Sequence, residues 1–106
     1  MAADVVFTEE SPWYTNSHTW GRITQFAANR ADEPALGDRQ DYLDALGVDF
    51  TFMPDDKAVE VASWLSGVIE RMLAEGEIGP GETDREHAQA LIRKLRSEAQ
   101  VRAASR

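Results

Sequence analysis

The chain of 106 residues has no cysteine, which excludes a disulfide framework, a thiolate metal site and a cysteine nucleophile. Long apolar runs are missing as well: none exceeds three residues, as in Val5-Val6-Phe7. A membrane-spanning helix needs about 20 such residues and a signal-peptide core about 7–15. The expectation is a soluble, cytoplasmic chain with no membrane partner. Basic charge is in short supply, with 11 Lys and Arg against 19 Asp and Glu and a formal charge of −8. Nucleic-acid binders carry the opposite balance, so DNA or RNA is disfavoured as a partner. Catalytic signatures are lacking too. His18 and His87 are the only histidines, and no paired-histidine metal motif, phosphate-binding glycine loop or nucleophile elbow occurs.

What is there suits one globular domain over residues 1–106. Apolar residues make up 42%, and domains of about 100–150 residues are common. Nine arginines to two lysines, with fifteen alanines, match a GC-rich bacterial or phage genome. The charge is unevenly placed. Residues 32–56 carry eight acids against Arg39, a net of −7, whereas 85–106 carry six bases against Glu86 and Glu98, a net of +4.

Residues 4–8 are β-branched and aromatic and read as a strand. The stretch 9–17 is rich in turn formers and reads as a loop. A helix then starts near Asn16 or Ser17, with Trp20, Ile23, Phe26, Ala27 and Ala31 on one face, and ends before Pro34. A second short helix fits 38–46, with Asp38 as N-cap and Gly47 at its C-terminal stop. Alternation in Val48-Asp49-Phe50-Thr51-Phe52-Met53 predicts a half-buried strand, the natural partner of 4–8.

The helix over 54–75 opens on Pro54 in its first turn, with Asp55 and Asp56 at the positive end of its dipole, and stops at Gly76. Its apolar face, widened by Val59, Trp64 and Leu73, spans about 220° where one core needs little more than about 100°. A capping box at Thr83-Asp84-Arg85-Glu86 starts the last helix, which folds back on 54–75 and frays over 100–106. The predicted fold is α+β and mainly helical, in the order β-α-α-β-α-α. A two-stranded ribbon packs on a C-terminal antiparallel helical hairpin and the N-terminal helix. The predicted core holds Val6, Trp20, Ile23, Phe26, Leu43, Leu46, Phe50, Phe52, Val61, Leu65, Val68, Ile69, Met72, Leu91, Ile92 and Leu95.

Three functional readings follow. The first is a non-catalytic protein–protein interaction module, an adaptor, inhibitor or phage-type host-binding protein. Asp38, Asp41, Asp44, Asp55 and Asp56 would meet a basic partner protein, and Trp13 and Tyr14 would form an aromatic contact. The second is self-association, with Val59, Trp64 and Leu73 covered by a second copy in a homodimer. The third is a small ligand-binding protein or minor enzyme using the stretch 11–18 with His18. No cofactor and no metal is expected. The acids lack the calcium-loop pattern, and several have helix-start roles.

Overall fold

A computed structural model of the chain describes residues 2–9, 11–29, 47–78 and 81–104. Six elements follow in order: β1 (Ala2–Val6), β2 (Trp13–Asn16), α1 (Ser17–Asn29), β3 (Gly47–Asp49), α2 (Asp55–Ala74) and α3 (Glu82–Ala104). The class is α+β, mainly helical, with α2 and α3 forming the expected hairpin. The predicted helix over 38–46, with Leu43, Leu46, Asp38, Asp41 and Asp44, lies outside the described residues.

The ribbon is a three-stranded sheet in the order β2-β1-β3 rather than a two-stranded one. Central β1 runs antiparallel to β2, placing Val5 opposite Trp13 and Asp4 opposite Tyr14. It runs parallel to β3, with Val5 opposite Val48. Parallel neighbours need a crossover connection, and α1 lies within it. The extra strand comes from the stretch read as a loop. Tyr14 and Thr15 suit a pleated surface, and burial alternates along β2, so turn formers govern only the residues up to Pro12.

Two core assignments change with the strands. Ala3, Val5 and Phe7 are buried, while Val6 stands on the other face and is half-buried. Val48 and Phe50 point inward as expected, but Phe52 is 90% exposed. The cause is a side-chain turn. The Asp49 carboxylate accepts bonds from the Thr51 backbone N–H at 2.9 Å and from its hydroxyl, which ends the strand before alternation reaches Phe52. Gly47 is required by the sheet itself. Its φ is +124°, and a Cβ there would lie 1.7 Å from the Asp4 carbonyl oxygen, so only glycine lets β3 approach β1.

Asn16 caps α1, its side-chain oxygen accepting the Thr19 N–H at 2.7 Å. Pro54 is the N-cap of α2 rather than a first-turn residue. The helix ends on Gly76, where Gly76 N–H bonds the Leu73 carbonyl and Glu77 N–H bonds that of Met72, the paired closure that a left-handed glycine permits. At α3 the Thr83 capping box is not the start. Arg85 N–H reaches the Gly81 carbonyl at 3.2 Å, so the helix begins at Glu82 and puts Glu82 and Asp84 in its first turn, where the dipole favours them. At the other end α3 continues to Ala104, through residues 100–104 of the stretch expected to fray, with Arg102 buried.

One apolar cluster joins the sheet's inner face to all three helices. The wide apolar face of α2 is covered from within the chain: Trp64 is only 6% exposed, and half-buried Leu73 packs against the same cluster. Val59 is half-buried. The surplus apolar surface that suggested a second copy is thus largely buried within the chain.

Candidate functional site

The period of two along β2 divides the polar aromatic stretch between two surfaces. Trp13 and half-buried Thr15 face inward, whereas Tyr14 faces outward and is 58% exposed. Trp13, read from the sequence with Tyr14 as an aromatic contact, is 4% exposed and forms a wall. Its indole N–H donates to the His87 carbonyl at 2.9 Å, and the two rings stack with centroids 4.5 Å apart and planes at 22°. The His87 ring then donates from Nε2 to the Tyr14 carbonyl at 2.6 Å. His87 therefore pins the start of α3 to β2.

Beside this wall a cavity of about 390 Å³ opens between α1, the end of α2 and the start of α3. Ile23, Ile69, Met72, Ala88 and Leu91 supply a buried apolar floor. Asn16 at the end of β2, with exposed His18 and half-buried Thr19 at the start of α1, line it, and Arg22, Glu77 and Asp84 add charges of both signs. Arg22 is oriented by a bond from Nη2 to the Glu77 carbonyl at 2.5 Å.

The other surface is the sheet's outer face. Cross-strand partners share a face, which groups Asp4 with Tyr14 and Val6 with Asp49. Phe52 lies in the turn after β3, and exposed Asp56 lies in the first turn of α2. Segments 1–21 and 47–56, which contain all three strands, hold six acids and no lysine or arginine. Asp55, predicted to meet a partner, instead pairs with Arg102 Nε at 3.0 Å. Asp56 stays exposed beside it.

A buried polar cluster was not foreseen from the sequence. Glu98 is 3% exposed and accepts two bonds from Thr8, from its N–H at 2.9 Å and its hydroxyl at 2.8 Å. Arg102, 7% exposed, donates to the Phe50 carbonyl at 3.0 Å and also to that of Met53. A signal for this was present: Leu91, Leu95, Glu98 and Arg102 continue one helical stripe at spacings of four, three and four. Buried ions demand such partners, and here they tie both the segment just after β1 and the β3–α2 turn to α3. Among the described residues no three His, Asp or Glu side chains converge as a metal site, and no helix is long and apolar enough to cross a membrane.

No protein-family model, no curated protein and no solved structure matches this chain.

Proposed function

We propose that this protein is a cytoplasmic, non-catalytic interaction module that docks a partner protein with a basic surface on the outer face of its sheet. The observation that carries this reading is Phe52, 90% exposed on a turn between Asp49 and Asp56. Hiding a phenylalanine from water is worth about 1.5–3 kcal/mol, a gain this turn leaves for an encounter to collect. Tyr14, exposed on the outer face of β2, offers a second aromatic anchor, and such anchors dominate interface energetics. The anionic strands and turns supply the steering, since a one-sign field speeds encounter with the opposite sign.

An arginine-rich synthetic peptide is a direct probe, followed by amide chemical shifts. Perturbations are expected at Asp4, Tyr14, Asp49, Phe52 and Asp56, fading at high salt. Phe52→Ala should weaken binding about tenfold or more, by the burial energy lost. Asp49→Asn with Asp56→Asn should flatten the salt dependence while keeping the side-chain acceptor for Thr51. Shifts that map elsewhere, or an affinity indifferent to all three changes, would refute the reading.

A further inference from the structure

We infer that the cavity between α1 and the α2–α3 connection binds a small zwitterion with an apolar body, the chemistry of a free apolar amino acid. Its volume of about 390 Å³ falls in the range of about 300–1,000 Å³ usual for small-molecule sites. The floor is apolar and already packed: Ile23, Met72 and Leu91 are each at most 2% exposed. That floor asks for an apolar body. The remaining lining narrows the choice, because it carries the Arg22 cation and the carboxylates of Glu77 and Asp84.

A purely apolar occupant would strip water from these charges and return nothing. A polyanion would meet the two carboxylates. A ligand with one carboxylate and one ammonium group satisfies both signs at once. Arg22 suits the carboxylate, since its bond to the Glu77 carbonyl fixes the guanidinium yet uses one of five N–H donors. The Trp13–His87 wall is held by two hydrogen bonds and a ring stack, so little ordering cost falls on binding. This site is separate from the outer sheet face, because Trp13 and Tyr14 point to opposite sides of β2.

The test titrates L-phenylalanine and L-leucine, with 3-phenylpropionate and phenethylamine as the two halves of the former. Side-chain signals of Ile23, Met72 and Leu91 should shift saturably with the amino acids. Each half should bind about tenfold more weakly or worse, as expected for a lost charge-assisted bond. Arg22→Gln should weaken phenylalanine and phenylpropionate about tenfold and leave phenethylamine unchanged. Thr19→Phe should block every ligand by filling the cavity, with an unchanged circular dichroism spectrum because Asn16 caps the backbone N–H and not the side chain. The inference is overturned if neither amino acid shifts the floor residues at millimolar concentration. It is equally overturned if both halves bind as well as the whole, or if binding survives Thr19→Phe.

Discussion

The Arg102 guanidinium reaches the Thr8 hydroxyl, the Phe50 and Met53 carbonyls and the Asp55 carboxylate. It also lies 3.8 Å from the Glu98 carboxylate, which is itself buried. Replacing it with methionine keeps the unbranched apolar stem but removes the guanidinium and leaves Glu98 as a buried charge with only the Thr8 donors. Breaking such a pair from one side costs about 3–5 kcal/mol, so Arg102→Met should lower the urea midpoint sharply. Adding Glu98→Leu should recover much of the loss, because a pair replaced by apolar groups is often near neutral. If the double variant were as unstable as the sum of both single ones, the two ions would be acting independently. Glycine offers a second contrast at this scale. Gly47→Ala drives a methyl into the Asp4 carbonyl and should disrupt the β1–β3 pairing. Gly21→Ala, in a helix interior with nothing within 4 Å of its new carbon, should raise stability by about 0.5–1 kcal/mol. Thermal unfolding of the two variants distinguishes them by sign.

Among the elements α2 carries the largest share of the core, with Ala58, Val61, Leu65, Val68 and Ile69 fully buried. Truncating Leu65 to alanine at the centre of that stripe should cost about 2–5 kcal/mol in a urea titration. A midpoint that hardly moved would mean the helix packs by another face. The three described helices were legible because each repeats its apolar positions over several turns, enough to average out local ambiguity. The strands were less so. Val5-Val6-Phe7 is a continuous apolar run without alternation, which hides whether Val5 or Val6 points inward. The four residues of β2 sit among turn formers, and only pairing with β1 makes them a strand. Phe52 keeps perfect alternation with Phe50, and the local Asp49–Thr51 bonds override it. The candidate site was half visible for a related reason. Composition singled out 11–18, but the contacts that shape it reach 73 and 74 residues along the chain to His87. No local pattern reports a separation of that size. Glu98 and Arg102 were counted as surface charge because a charged residue on an inward stripe is uncommon.

At the scale of the whole molecule the sheet is held to α3 at two separated places. Trp13 and His87 join near the helix start, and Thr8, Phe50 and Met53 meet Glu98 and Arg102 near its end. Three strands of three to five residues have little independent stability, since small sheets persist mainly by packing on something else. The apolar cluster runs without a break from Ala3 and Val48 to Leu91 and Leu95. Sheet and hairpin are therefore expected to unfold as one unit. The three tryptophans make this testable without labels: Trp13 lies on β2, Trp20 on α1 and Trp64 on α2, and all are buried. Their fluorescence samples the sheet and the helix layer, while far-ultraviolet circular dichroism is dominated by the helices. The two signals should give the same midpoint and slope in urea, and keep doing so in Trp13→Phe, which removes the sheet's own reporter. In Arg102→Met the common midpoint should fall while the signals stay superimposed, because the Trp13–His87 contact still couples the sheet to α3. A fluorescence change preceding the dichroism change in the native chain, and absent from Trp13→Phe, would instead place the weakest seam between β2 and the hairpin.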